Sequence, residues 1–322
     1  MSKILISGVK PTGRPHIGNY LGAMRQFVDL QEEFEARVFV ADLHALTTVQ
    51  DRDQLSKASI DVAMDYLAIG LDPEKTLIYK QSDVPEVTEL TWVFNCLTTM
   101  PYLMRAHAFK DAEAKNKDIN VGVFDYPILM AADILIHDAD VVPVGLDQKQ
   151  HLEIARDTAE KFNRIFGETF KLPEPRIQKE TETIPGTDGQ KMSKSYGNTI
   201  PLFATDEEIK KAVMSVATDS KSPEEPKDIE GDTLFTLHTF FTKGDDLEKV
   251  KEGYEKGGLS YKESKNILIK HITDLVKPLR EKRFEIAKDT DSVRDMLSEN
   301  GKKVKELISS KMEVVRRNIG LY

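Results

Sequence analysis

Short apolar runs alternate with longer stretches in which apolar residues recur every three or four positions, and this alternation organises the first half of the chain. Ile4-Leu5-Ile6, ending at Ser7 and Gly8, reads as a buried strand. The turn-rich residues Lys10, Pro11, Thr12 and Gly13 then lead into a helix beginning near Ile17, where Leu21, Met24, Phe27, Val28 and Phe34 share the apolar spacing. Val38 to Ala41 predicts a second strand, Asp53 to Leu71 a helix stopped at Asp72-Pro73, and Leu77 to Tyr79 a third strand. Pro85 to Cys96 reads as helix and Val141 to Val144 as strand. Gln148 to Phe166 predicts a long helix that turns Leu152, Ile154, Ala155, Ala159 and Phe162 inward. Strands alternating with helices predict an α/β fold with a parallel, doubly wound sheet.

Beyond residues 186–200, rich in Gly, Thr, Lys and Ser, the strand signals stop. Thr205 and Glu208 fit a capping box that opens a helix to Val216. Residues 221–226 form a Pro-rich, charged connection. Ile267, Ile269, Ile272, Leu275 and Val276 lie along a further helix, and Val304, Leu307, Ile308, Val314 and Val315 mark a last amphipathic one.

Composition adds bounds to this picture. The 322 residues carry a formal charge of −9, and 40% are hydrophobic, an ordinary globular balance. One cysteine, Cys96, excludes an intramolecular disulfide and any four-cysteine metal or iron-sulfur site from this chain alone, and points to a reducing cytoplasm. The N-terminal apolar run of three is too short for a signal peptide. No apolar stretch approaches the roughly 20 residues that cross a bilayer. Net acidity argues against indiscriminate nucleic-acid binding, but the charge is uneven. Residues 1–204 hold 22 basic and 30 acidic side chains, whereas residues 262–322 hold 15 and 10. The C-terminal end is either a solvated helical surface or a place where a polyanion is met.

Neither GxGxxG nor GxxxxGK[ST] is present, so dinucleotide and P-loop chemistry are not indicated. His16-Ile17-Gly18-Asn19 sits where the first strand hands over to the first helix, the edge at which such sheets bind ligands. A helix N-terminus there offers N–H groups to an anion, Gly18 permits close approach, and His16 and Asn19 can donate hydrogen bonds. Lys191-Met192-Ser193-Lys194-Ser195, preceded by Gly186 to Gly189 and followed by Tyr196-Gly197-Asn198, combines two lysines with small hydroxyl residues that can wrap polyphosphate.

These two segments resemble the HIGH and KMSKS signatures of the class I aminoacyl-tRNA synthetases, in the family's order, the second unaltered. Gly18 to Ala23, Asp125 to Leu135 and Val142 to His151 resemble the bacterial tryptophanyl-tRNA synthetases, over essentially the whole chain. The resemblance implies a Rossmann-like catalytic domain over 1–201 and an all-helical anticodon-binding domain over 202–285. The C-terminal helix, 286–322, is expected to pack back on the catalytic domain. It also implies a homodimer built near residues 100–140. Met100, Tyr102, Leu103 and Phe109 there either face a partner or fill the core.

The resemblance further implies activation of L-tryptophan by ATP with Mg²⁺ and acylation of tRNA(Trp). An indole offers one N–H on a flat apolar body, so its site needs a buried acceptor in an apolar slot. Asp133, one turn after Met130 on an otherwise apolar helix, fits that need or is satisfied within the core; the family favours indole. Tyr126 and Gln148 are the family's ammonium partners, and His44 matches its active-site histidine. Lys10, Pro11 and Thr12 match the start of the ATP loop. Gly145 gives adenosine room, Leu146 lies beside it, Asp147 resembles the ribose acceptor, and Ile184 is placed against adenine. Lys191, Lys194, Ser195 and Asn19 stand in catalytic positions. Lys10 replaces the family's usual glutamine, Asn19 the second histidine of HIGH, and Ile6 a frequent aromatic. Leu43 and Leu146 replace a Gln and a Glu common in close relatives.

The competing readings are a tyrosyl-tRNA synthetase, a HIGH-superfamily nucleotidyltransferase for a small molecule, and a synthetase-derived nucleic-acid-binding regulator. A tyrosine expected on the first strand for phenol binding is replaced by Ile4 to Ile6.

Overall fold

The computed structural model describes residues 3–114, 119–145, 148–176 and 184–322. Among them, a strand β1 (Ile4–Val9) leads to a helical segment made of α1 (Ile17–Asn19), a π turn (Tyr20–Met24) and α2 (Arg25–Leu30). There follow β2 (Glu35–Val40), α3 (Asp42–Ala45), α4 (Arg52–Ile69), β3 (Thr76–Lys80), a 3-10 turn (Gln81–Asp83) and α5 (Glu86–Leu97). Next come α6 (Met100–Leu103), α7 (His107–Ala114), α8 (Val121–Leu135), β4 (Val141–Pro143), α9 (Lys149–Phe166) and β5 (Glu174–Arg176). The remainder is helical: α10 (Asp206–Met214), α11 (Thr233–Phe241), α12 (Asp245–Lys256), α13 (Tyr261–Ile286) and α14 (Thr290–Asn318).

The chain forms two compact units. Among the described residues the first contains 3–13, 26–176 and 286–322, and the second 14–25 and 184–285. The first holds a five-stranded parallel sheet in the order β3-β2-β1-β4-β5. That order is the doubly wound arrangement, with helices burying both faces of the apolar strands. The α/β Rossmann-like reading holds. Ile6, Phe39, Tyr79, Ile128, Ala132, Leu152 and Phe162 belong to one continuous core. The C-terminal helix α14 joins it through Val304, Ile308, Met312 and Val315 and packs on β3. Gly301 lets α14 come close, since a Cβ there would meet the Asp83 Cβ at 2.6 Å. Asn300 Nδ2 donates to the Ile78 carbonyl at 3.1 Å, and Arg316 holds Glu89 through two hydrogen bonds of 2.7 and 2.5 Å.

The second unit packs α10 to α13 around Ile209, Val213, Leu237, Val250, Tyr254, Leu268 and Ile272. The Thr205–Glu208 capping box is present at the start of α10. No described helix is long and apolar enough to cross a membrane.

Four local expectations change. Phe34 lies beyond α2, in the turn before β2. Helix α4 ends at Ile69, two residues before the Leu71 that Asp72-Pro73 would allow, because Gly70 takes φ 114° and lets the chain leave the helix. Strand β5 had no apolar run to announce it: its three residues are exposed and pair only with β4 at the sheet edge. Leu307 and Val314 share the spacing of the buried residues of α14 but are 51% and 40% exposed.

Buried histidines make stability depend on pH. Burial pushes His137 down to about 3 and His238 to about 4, from an ordinary 6.5. Arg37 donates to His137 Nδ1 at 3.0 Å, so His137 Nε2 bears the proton facing the Tyr79 hydroxyl at 2.9 Å. His238 bonds Thr242 and Ser264 at 2.7 and 2.9 Å. With folded values below the unfolded one, the unfolded chain binds more protons in this window. This contribution is complete above about pH 6.5 and is lost as pH falls towards 4. Urea midpoints should therefore drop steadily from pH 7 to pH 4.5, and His238→Gln should flatten part of that slope. An equal slope in the variant contradicts the assignment.

Candidate active site

In the first unit the site grows from a helix, α8, whose carboxyl-terminal half is apolar except for one buried carboxylate. Helix α8 buries Ile128, Ala131, Ala132, Ile134 and Leu135, and Asp133 among them is 3% exposed. Isolated in such a layer, a carboxylate loses several kcal/mol of hydration unless donors replace the water. Two side chains supply them. His44 Nε2, from α3 directly after β2, lies 3.0 Å from Asp133 Oδ2. Gln81 Nε2, from the turn directly after β3, donates to Oδ1 at 2.9 Å and Oδ2 at 2.8 Å. Burial raises the Asp133 carboxyl above its ordinary range, and the His44 and Gln81 hydrogen bonds oppose that rise.

Of the sequence-predicted residues, Tyr126 touches this cluster directly and Lys10 reaches it through Thr47, whose hydroxyl bonds the His44 carbonyl. The His44 ring meets Tyr126 edge-on at 6.0 Å. The Tyr126 hydroxyl lies 2.8 Å from His151 Nε2. Met130 sits half-buried one turn before Asp133. Gln148 is the N-cap residue of α9, and its backbone N–H donates to the Gly145 carbonyl at 3.0 Å. Lys10 reaches Thr47 Oγ1 at 2.7 Å, and burial pushes its ammonium below the ordinary lysine value. Pro11 is buried and Thr12 exposed. Leu146 and Asp147 lie outside the described residues.

The second unit brings both signature segments together. His16 caps α1: Asn19 N–H donates to His16 Nδ1 at 3.2 Å, and His16 N–H donates to Asn19 Oδ1 at 3.1 Å. With Nδ1 accepting, His16 is the tautomer protonated at Nε2. Burial, then the charges of Lys194 and Lys191, lower its pKa to about 4, so the ring is neutral at pH 7. Gly18 has a local steric reason: a Cβ there would come within 2.9 Å of His16 Nδ1 and 3.4 Å of Met192 Sδ. The segment is fastened to the chain after the lysine loop. His16 pairs with Pro201 in an antiparallel bridge, Ile17 N–H donates to Ile200, and Leu202 N–H to Pro15, both at 2.9 Å. Arg14 bonds Glu208 Oε1 at 2.8 Å while Glu208 Oε2 accepts the Thr205 N–H at 2.7 Å. The Arg14 bond heads the causes that hold the Glu208 carboxyl down at about 2.

The lysine loop is built on a buried asparagine. Asn198, 2% exposed, accepts the Ser193 N–H at 2.8 Å and donates to Asp188 Oδ1 at 2.7 Å and to the Lys191 carbonyl at 3.1 Å. A Cβ on Gly186 would lie 2.3 Å from the Asn198 amide, so glycine is required there. Met192 is buried, with its N–H on the Ile184 carbonyl at 3.0 Å, and Ile184 is buried as well. Lys191, Lys194 and Ser195 are exposed, and Ser193 and Ser195 hydroxyls lie 2.9 Å apart.

The contacts made by Gln81, His151, Asn198 and the Arg14–Glu208 pair did not emerge from the sequence. Gln81 alone carried a usable signal, a polar residue at the carboxyl end of a strand in a parallel sheet.

The family described as tRNA synthetases class I (W and Y) matches residues 2–277. A tryptophan–tRNA ligase of Rhodopirellula baltica is 48% identical over 98% of this chain and 99% of its own. That of Fusobacterium nucleatum is 46% identical over 98% and 97%. The solved tryptophanyl-tRNA synthetase of Campylobacter jejuni, complexed with ADP and tryptophan, superposes with a TM-score of 0.91 at 41% identity, covering 98% of this chain and 99% of that one. The chain belongs to the class I tRNA synthetases of the tryptophan and tyrosine group, and within it to the bacterial-type tryptophan–tRNA ligases.

Proposed function

We propose that this ligase joins L-tryptophan to ATP as tryptophanyl-adenylate with release of pyrophosphate, then passes the acyl group to the 3′ end of tRNA(Trp) with release of AMP. The observation that carries the choice of amino acid is Asp133, a carboxylate 3% exposed in an apolar layer. Its neighbours then take definite roles. Asp133 accepts the indole N–H, Met130 flanks the ring, and His44 holds the carboxylate. Tyr126, whose hydroxyl lies 2.8 Å from His151 Nε2, meets the substrate ammonium through its oxygen, with Gln148 as a second partner.

ATP meets Lys10, Pro11 and Thr12, the His16, Gly18 and Asn19 segment, Gly145, Leu146, Asp147, Ile184, and the loop Lys191, Met192, Ser193, Lys194 and Ser195. Neither step needs a protein nucleophile. The tryptophan carboxylate attacks the α-phosphorus, and catalysis is positioning plus stabilisation of charge on the departing pyrophosphate. Lys191 and Lys194 supply cations, and a neutral His16 donates from Nε2 without repelling them. No group of three His, Cys, Asp or Glu among the described residues is arranged to hold a metal, and Mg²⁺ enters here as part of the Mg·ATP substrate.

A cytoplasmic location fits a ligase that charges tRNA. The helical region 202–285 is the anticodon-binding part, and the basic C-terminal segment favours the RNA. A homodimer is supported by exposed apolar side chains on α5, on α6 and its C-cap, and on α8. Trp92 is 71%, Met100 65%, Met104 48% and Val121 80% exposed. Of the four apolar residues named from the sequence, Met100 is exposed and Leu103 belongs to the core. Tyr102 and Phe109 are half-buried, Tyr102 bonded to Asp157 at 2.6 Å and Phe109 stacked edge-on with Phe124 at 5.3 Å.

Lys194→Ala should lower tryptophan-dependent ATP–pyrophosphate exchange by about two to three orders of magnitude, with tryptophan affinity changed less than about twofold. Unchanged exchange removes Lys194 from the reaction. Trp92→Glu combined with Met104→Glu should convert a dimer to a monomer in light scattering, and an unchanged mass contradicts this interface.

A further inference from the structure

We propose that Gln81 is a positioning residue for tryptophan selection, clamping the Asp133 carboxylate so that one acceptor position faces the indole N–H. The proposal rests on Asp133 being the indole acceptor and adds the part that orients it. Gln81 is 1% exposed and opens the 3-10 turn that follows β3, at the carboxyl end of the strand. Its carbonyl Oε1 accepts the backbone N–H of His44 at 3.3 Å. That bond fixes which way the amide points. Turned over, its oxygen would face the carboxylate and its NH₂ the His44 N–H, two repulsive contacts in place of attractive ones.

Held this way, Nε2 lies 2.9 Å from Asp133 Oδ1 and 2.8 Å from Oδ2, while His44 Nε2 lies 3.0 Å from Oδ2. An ionised carboxylate has about four acceptor positions. Among the described residues, one Gln81 N–H shared between the two oxygens takes the position on each that faces it, and His44 takes the second position on Oδ2, which leaves one on Oδ1. An indole brings one donor and no acceptor, so one remaining position matches it. The clamp is needed because the terminal torsion of an aspartate is broad and two-fold. Tied by His44 alone, the carboxylate turns about that single contact and its free lone pair no longer has a set direction. Gln81 ties both oxygens. His44 joins the two devices, since its ring bonds the carboxylate and its backbone holds the glutamine.

Gln81→Met keeps the length of the side chain without its donors, and Gln81→Glu keeps its shape while replacing the donors with acceptors. Pyrophosphate exchange is measured for both, and for Asp133→Ala, with L-tryptophan and with 3-benzothienylalanine, whose sulfur stands in place of the indole N–H. Each Gln81 variant should lose about 10- to 100-fold in kcat/KM for tryptophan. The KM for ATP should stay within about twofold, and the preference for tryptophan over the sulfur analogue should shrink by a similar 10- to 100-fold. Either variant retaining that preference within twofold, while Asp133→Ala loses it, overturns the role of Gln81. An equal loss for both substrates also overturns it, because a merely structural role weakens them alike. If Asp133→Ala itself keeps the preference, the reading of Asp133 has failed, and this inference with it.

Discussion

A carboxylate in a dry layer of apolar side chains governs the first unit, because the strands and helices around Asp133 can close only if they bring donors to it. Those donors stand at the carboxyl ends of two neighbouring strands, His44 after β2 and Gln81 after β3. Meeting the need of Asp133 therefore ties α8 to the edge of the sheet where a doubly wound fold binds its ligand. The same strands carry a second buried polar chain, Arg37 to His137 to Tyr79. In both chains each donor has a direction, so the core is specified by hydrogen-bond geometry as well as by volume. The site inherits its rigidity from that core.

The second unit answers a different demand, the convergence of cations on one loop. Burial first, and then the charges of Lys194 and Lys191, depress the pKa of His16, so the positive field of the loop reaches the helix cap. A loop of like charges needs an internal fastening, and Asn198 provides it from beneath with three hydrogen bonds to residues 188, 191 and 193. The cap in turn is fastened to residues 200–202 by backbone hydrogen bonds and the bridge at Pro201. The two signature segments are thus held within one unit by these backbone and side-chain hydrogen bonds. Preorganised charge of this kind acts on a phosphoryl transition state without reorganising during the reaction.

What could be read from the sequence was local or ordered. Strands of Val, Ile and Leu, the i, i+3 capping box at Thr205 and Glu208, and the apolar surroundings of Asp133 each depend on neighbours a few positions away. The two signatures were legible because their residue order carries information that composition does not. The pairing of Gln81 with Asp133 is not legible because folding brings it together from 52 residues apart, and the fastening role of Asn198 because nothing in its loop's order marks which side chain turns inward. Strand β5 was invisible for the opposite reason, since Glu174, Pro175 and Arg176 have no apolar signal and owe their conformation to one edge pairing. Leu307 and Val314 show the limit of periodicity, which finds a helical face but not where its partner ends.

The central claim is that the buried acceptor at Asp133 makes this chain select tryptophan. Exchange of labelled pyrophosphate into ATP by the full-length protein, run in parallel with tryptophan and with tyrosine, tests it most directly. The account predicts rapid exchange with tryptophan and exchange at least about 10³-fold slower with tyrosine. Comparable rates with the two amino acids, or exchange driven by tyrosine alone, would contradict it.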